Sequence, residues 1–451
     1  MTRSSFIKGV LRQRAFQWAL TVPALFSLVL TILAGLWGTP VGNRNFAVIF
    51  VWIIWWALLI LFLIPLGGRA WCAMCPIPMP GEWLQRRSFI GKRDHPSLSR
   101  RWRWPRWFRN IWLQNFAFLG VALFSATILT NPLVTGALLL AFVLIALGLS
   151  LGFERRTFCR YVCPVGGFIG LYSMLAPLEL RVKDREVCQA HKGRECYLGS
   201  QAGYGCPWLT FPGKMERNAY CGLCTECLKT CPEDNIALNL RPLGLDLLVA
   251  RERGLDEAYK AFVMVACALL YSVVLLGPWG WLKEWADPAS LSTFVPYAIM
   301  FLTVNLLLLP GLFLAFTVVA QALGGIRAVP TRDLFIDFAY ALVPMGLAGW
   351  MAFSISFVLV NLSYALPVIS DPFGWGWNLF GTSGYPWTPY WPQIVPYLQV
   401  PILLGGLLFS IYIAYRIAQQ NSGDRRLALR ALVPITLFLT GLSFLFEWLY
   451  L

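Results

Sequence analysis

Charge is scarce in this chain of 451 residues: 13% are Asp, Glu, Lys or Arg, about half the ~25% of an average soluble domain. Hydrophobic residues make up 58%, and the mean hydropathy is +0.61. A soluble fold cannot hide that much apolar surface, so the composition predicts a polytopic membrane protein. Histidine is rarer still, with only His95 and His191. Two histidines leave little room for haem ligated between spans, and the absence of C-x-x-C-H argues against covalent c-type haem. No apolar stretch carries an acid or base at mid-depth, where ion pumps and proton-coupled carriers normally need one, which disfavours a transporter. Asp333, Asp337 and Glu447 lie near span ends. Asp333 and Asp337 share a helix face at a start that welcomes acids, so a structural role is expected.

What the chain has in quantity is long apolar runs. Nine are long enough for the ~20 residues that cross a bilayer core: 15–36, 46–66, 110–130, 133–152, 261–280, 292–322, 334–362, 394–415 and 431–450. Pro310 and Pro344 are expected kinks in the longest two. The basic N-terminus runs into the first stretch with no evident cleavage site, so that stretch reads as an uncleaved span. With the N-terminus cytoplasmic, 35 of the 37 Lys and Arg fall inside, and only Arg44 and Lys283 fall outside. The net charge of +15 is therefore read as a topology signal, with no nucleic-acid partner. The expected fold is an all-α polytopic membrane protein of about nine transmembrane helices with an inserted ferredoxin-like cytoplasmic domain. The C-terminus is expected outside, and the parts are 1–152, 153–258 and 259–451.

Sidedness decides the cysteine chemistry. Eleven of the twelve cysteines fall in cytoplasmic segments, where thiols stay reduced and serve as metal ligands or redox groups. The twelfth, Cys267, lies within an apolar run and reads as a small hydrophobe. Within 153–258 stands Cys221-Gly-Leu-Cys224-Thr-Glu-Cys227-Leu-Lys-Thr-Cys231-Pro232, the C-x2-C-x2-C-x3-C-P run of bacterial ferredoxins. Three thiolates of one tight loop reach one cube, and the last reaches a neighbouring one. A zinc knot also uses C-x2-C pairs, but the 2-2-3 spacing followed by Pro points to [4Fe–4S]. Upstream, Cys188, Cys196 and Cys206-Pro207 have a wider spacing. The expected grouping is Cys221, Cys224 and Cys227 with Cys206, and Cys188 and Cys196 with Cys231. Two cubes need one ligand more: His191, a cysteine near the membrane, or none if the second cluster has three irons.

Two further pairs follow apolar hairpins: Arg69-Ala-Trp-Cys72-Ala-Met-Cys75-Pro76 and Arg156-Thr-Phe-Cys159-Arg-Tyr-Val-Cys163-Pro164. In each, Arg sits three residues before the first Cys, an aromatic directly before it, and Pro after the second. This is an internal duplication with an offset of 87 residues. Both pairs leave the bilayer at the same depth, so four thiolates can converge on a cluster or another soft metal such as zinc. Nearby arginines would balance its negative charge.

These twin motifs, the 221–231 run and the segment FCRYVCPVGGFIGLYS at 158–173 resemble the membrane polyferredoxins. That group includes the accessory membrane subunit of periplasmic nitrate reduction and the membrane part of the nitrous-oxide-reductase maturation protein. The similarity covers roughly residues 15–245. It implies electron transfer between a cytoplasmic donor or the quinone pool and a partner redox system. By motif it carries Cys159, Cys163, Cys221, Cys224, Cys227 and Cys231 over as cluster ligands, and also Cys72 and Cys75, whose spacing is one residue shorter than usual. The cofactor expectation is at least one [4Fe–4S] cluster, a second from Cys188, Cys196 and Cys231, and a third at the membrane edge. The alternatives are a membrane protein that assembles or regulates a partner oxidoreductase, and a zinc-stabilised scaffold. Elsewhere, the outer loop 363–393 has many aromatics and no Lys or Arg, as expected of an interfacial belt. The Arg–Trp stretch 100–109 reads as a segment lying on anionic lipid.

Overall fold

The computed structural model describes residues 5–89, 97–249, 253–276 and 280–450; His95 lies outside them. Among the described residues, eight helices are long and apolar enough to cross a membrane: Ala15–Trp37, Phe46–Gly67, Pro132–Gly152, Leu255–Leu276, Leu291–Leu323, Thr331–Ser370, Pro392–Ser422 and Arg425–Tyr450. These apolar helices are consistent with a membrane protein. The run expected as a ninth span, 110–130, is broken rather than continuous. It forms a helix over Trp112–Leu123 and a short turn over Ser125–Ile128. The backbone leaves helical geometry at Phe124 (φ −94°, ψ 15°).

The prolines act four residues upstream of themselves. Pro344 has no N–H for the carbonyl of Tyr340, and the chain turns at Tyr340 and Ala341, between helices Thr331–Ala339 and Leu342–Asn361. Pro310 follows a π-helical turn over Val304–Leu308. Large apolar side chains such as Phe26, Leu144, Leu307 and Leu408 stand more than half exposed on these helices, a surface that lipid would cover.

The chain divides into two compact units. The first comprises residues 1–33, 62–114 and 136–246; the second comprises 34–61, 115–135 and 247–451. All eleven cysteines of the expected sites belong to the first unit. Its small sheet pairs strand β1 (Leu178–Val182) antiparallel with β2 (Ile236–Leu240), Leu180 opposite Leu238. Leu180, Met215, Leu223, Leu228, Ile236 and Leu238 form an apolar core into which Cys196 and Cys227 pack, with Cys221 and Cys231 at its edge. So little aliphatic material gives a small core, and thiols line much of it.

The N-terminal helix Ser5–Arg12 closes one side of this core. Leu11 packs on it, its carbonyl accepts from Thr225 Oγ1 (2.9 Å), and Arg12 Nε donates to the Leu228 carbonyl (3.2 Å). Lys8 and Arg12 both pair with Asp234. The basic leader is thus an amphipathic helix docked on the 221–231 run, which hydropathy alone could not reveal.

In the second unit, Leu255–Leu276 is the most buried spanning helix. It starts six residues earlier than the apolar pattern suggests, and so takes in Glu257 and Lys260, both buried. Glu257 accepts from the Tyr340 hydroxyl, and the Lys260 ammonium lies 4.5 Å from the Phe118 ring centre, a favourable cation–π contact. Arg253 pairs with Asp337 (2.8 Å), which also accepts from Asn421 Nδ2 (3.1 Å). Asn305 accepts from Cys267 Sγ (3.4 Å), whereas Asn361 bonds within its own helix, to the Phe357 carbonyl.

Candidate iron–sulfur site

The twin motifs differ in spacing, and the backbone absorbs the difference. The first lies in an α-helix, Ala70–Met74; the second forms a π-helical turn, Phe158–Val162. Cys163 N donates to the Phe158 carbonyl five residues back (2.8 Å). A π turn accommodates one extra residue, here Arg160, and C-x3-C ends where C-x2-C does, at an extended cysteine before Pro. The carbonyls of Cys159 and Arg160 lie within this turn. Buried Gln114 donates to both (3.1 and 2.9 Å).

The duplicated arginines clasp reciprocally. Arg156, of the second motif, donates from Nη1 to the carbonyl of Cys72 in the first (2.7 Å). Arg69, of the first, donates from Nη2 to the carbonyl of Gly166 in the second, and from Nη1 to that of Ala219 (2.5 Å). Both are about 97% buried. Glu82 accepts two hydrogen bonds from Arg156 (2.8 and 2.6 Å) and one from Arg86. Burial alone would raise the Glu82 carboxyl, but these two guanidiniums hold it below its ordinary value.

The clasp brings Cys72, Cys75, Cys159 and Cys163 together. Burial raises all four thiols, Cys163 to about 11. Charge on Cys163 and on Cys72 would raise Cys75 further, while Arg69 and Arg156 pull Cys72 down. Cys206 stands with Cys221, Cys224 and Cys227 in a second group. Burial raises Cys221 to about 11 and Cys224 further still, with Cys206 the next cause for Cys224. Cys188, Cys196 and Cys231 make a third: burial raises Cys196 to about 12, followed by the charges of Cys188 and Cys231. His191 lines the same recess as these three cysteines, with its ring held by Glu195 and Glu233. Gly213 makes room there, since a Cβ would lie 2.5 Å from Cys188 Sγ. Arg156 faces both Cys159 and Cys224, and Arg69 faces Cys72, Cys163 and Cys221. Cys267 belongs to the second unit.

Why proline follows these cysteines is visible in the backbone. Proline fixes its own φ and offers no N–H, so the next free amides turn back on the sulfur. Cys75, Cys163 and Cys206 each accept from the amide two residues on, Ile77, Val165 and Trp208. Cys163 also accepts from Gly166 N (3.3 Å), Cys206 from Thr210 N (3.4 Å) and Cys231 from Asn235 N (3.4 Å). In the 221–231 loop the same i+2 bond reaches Cys221 from Leu223 and Cys224 from Glu226. There Leu223 (φ 49°) and Thr225 (φ 57°) adopt left-handed conformations that non-glycine residues rarely take outside functional loops. Amides aimed at sulfur stabilise thiolate.

This donor set fits iron–sulfur clusters better than a single ion. A cube offers a separate iron to each thiolate, so its ligands stand further apart. Buried donors without a hydrogen-bond partner among the described residues, Arg69 Nε, Arg160 Nε and Trp208 Nε1, suit a site whose remaining acceptor is a cofactor.

Part of the Arg–Trp stretch is structural as well. Trp104 stacks on Tyr161 of the second motif (5.4 Å, 2°), and Trp102 packs edge-on against Phe153 (6.0 Å); Trp107 is 74% exposed.

Comparison with known proteins finds a match over both halves of the duplication. The family described as a 4Fe-4S binding domain matches residues 48–105 and 135–183. The two matches begin 87 residues apart, the offset between Cys72 and Cys159, and each contains one pair. The match supports [4Fe–4S] clusters and an iron–sulfur electron-transfer role. The chain is also 30% identical over 101 residues to an uncharacterized protein of Methanocaldococcus jannaschii; that alignment covers 22% of this chain and 37% of the relative. The chain thus spans little more than a third of that relative's length. No solved structure matches.

Proposed function

We propose that this protein is a membrane electron-transfer component of the polyferredoxin kind. Its iron–sulfur clusters would lie at the cytoplasmic face, between a cytoplasmic donor and a quinone or partner redox protein. The observation that carries this reading is that eleven cysteines lie in one unit, most of them with further cysteines among the charges that act on them. Cys72, Cys75, Cys159 and Cys163 would hold one cluster. Cys206, Cys221, Cys224 and Cys227 would hold a second. Cys188, Cys196 and Cys231 would hold a third, with His191 as the remaining ligand. Bound there, the clusters supply one-electron redox chemistry.

The protein's own part is to desolvate, neutralise and orient. Burial and the apolar core keep water from the sulfurs, and the amides of the Cys-Pro turns and the 221–231 loop point at them. Arg69 and Arg156, each facing two of the groups, offset thiolate charge without adding a titrating group. Because burial raises the thiols, loading iron releases protons. The cytoplasmic placement is supported by the basic residues, 35 of 37 on one side of the expected spans.

The test is anaerobic iron and sulfide analysis with EPR on the intact protein and on Cys72→Ser, Cys224→Ser and Cys188→Ser. Each substitution is expected to abolish or alter a different signal. Protein that contains no iron, or one signal lost equally in all three variants, refutes the reading. Reoxidation of the dithionite-reduced protein by a soluble quinone analogue tests the electron-transfer role.

A further inference from the structure

Trp208 sits two residues after Cys206 in the loop that begins at the Cys206-Pro207 turn. Its side chain is large, polar at one atom, and 99% buried. Its backbone is spoken for: the carbonyl accepts from Arg160, and the amide points at Cys206 sulfur. Its indole N–H is not, having no hydrogen-bond partner among the described residues. Burying such a donor unpaired costs about 1–3 kcal/mol, and Phe would fill most of the same space without that cost.

The position of the N–H gives a reason for keeping it. The edge of the indole that carries Nε1 lies against Gly222, between Cys221 and Cys224. A Cβ on Gly222 would stand 1.9 Å from Nε1 and 2.3 Å from Cε2. Glycine there admits the indole edge to the cysteine loop at a distance no other residue would allow. On the ring face, the Arg69 guanidinium carbon lies 4.6 Å from the ring centre, and a cation over the face makes the N–H a stronger donor. Arg69 Nε is itself a buried donor without a partner.

We propose that the Trp208 indole N–H, backed by Arg69, is a hydrogen-bond donor to a sulfur of the cluster held by Cys206, Cys221, Cys224 and Cys227. It thereby raises that cluster's reduction potential. The proposal rests on the ligand assignment of the preceding subsection. The physical basis is charge: each added electron makes the sulfurs better acceptors, so a donor stabilises the reduced state more than the oxidised one. Trp208 is then a positioning and tuning residue rather than a ligand.

The experiment is an EPR-monitored redox titration of the intact protein and of Trp208→Phe, with iron counted in both. Trp208→Phe is expected to keep its iron and to make one cluster about tenfold harder to reduce, equivalent to about 59 mV for one electron. The other signals should not move. A variant with full iron and unchanged potentials overturns the proposal. If Trp208→Phe loses iron, the wild-type protein decides. Grown with indole-15N tryptophan, it should show a weak nitrogen coupling to one reduced cluster in pulsed EPR, and the absence of that coupling overturns the proposal. Wild-type protein with no cluster signal refutes the ligand assignment instead, and the tuning role falls with it.

Discussion

Replacing Arg156 by Met isolates the energetic role of the duplicated arginine. The Arg156 and Glu82 side chains are 2% and 5% exposed, and their closest approach is 2.6 Å. Arg156→Met keeps most of the side-chain length but removes two hydrogen bonds to Glu82 and one to the Cys72 carbonyl. Removing one partner of a buried pair costs about 3–5 kcal/mol, because the other charge is left uncompensated. Here Arg86 still pairs with Glu82, which holds the loss to about 3 kcal/mol. The orphaned Cys72 carbonyl also loosens the loop that carries the first thiol pair. Equilibrium unfolding in detergent, followed by tryptophan fluorescence, measures the cost. The double variant Glu82→Gln, Arg156→Met leaves no uncompensated carboxylate and should recover more than half of it. A single-variant loss under about 1 kcal/mol, or a double variant no more stable than the single, would refute the reasoning.

Gly222→Ala drives a methyl into the Trp208 indole. Overpacking of a filled core costs about 1–3 kcal/mol, and the variant should lose iron from one cluster while the membrane-edge signal persists, read by iron count and EPR. Asp234→Asn removes the shared anion of Lys8, Arg12 and Lys183. These groups are partly exposed, so the effect on docking of the N-terminal helix should be no more than about 1 kcal/mol and should vanish at high salt. Hydrogen exchange at residues 5–12 reads it. Cys267→Ala removes only a thiol that bonds Asn305, and it should leave iron content and every EPR signal unchanged.

The candidate site was legible in the sequence to the extent that its chemistry is local. Spacings of two and three residues fix which thiols share a loop, and Cys221, Cys224 and Cys227 could be grouped from that alone. The Cys-Pro step marked Cys206 as their fourth neighbour, and the structure stands it beside them. The twin Arg–aromatic–Cys patterns announced the duplication, and the family match repeats its offset. The one-residue difference between the pairs was an anomaly in the sequence. It became intelligible only with the π turn at Phe158–Val162, because a helix can take up an extra residue without moving its end.

Hydropathy determined that this chain is mostly helical, with apolar runs of the length a bilayer requires. It could not show the break within one run, 110–130, since a break at Phe124 depends on φ and ψ and not on polarity. Only the tertiary structure decided the long-range partnerships: Arg156 with Glu82 and the Cys72 carbonyl, Arg69 with Gly166 and Trp208, and the N-terminal helix on Asp234. Each joins residues tens to hundreds of positions apart. Such contacts follow from how whole elements pack, and no spacing along the chain encodes them.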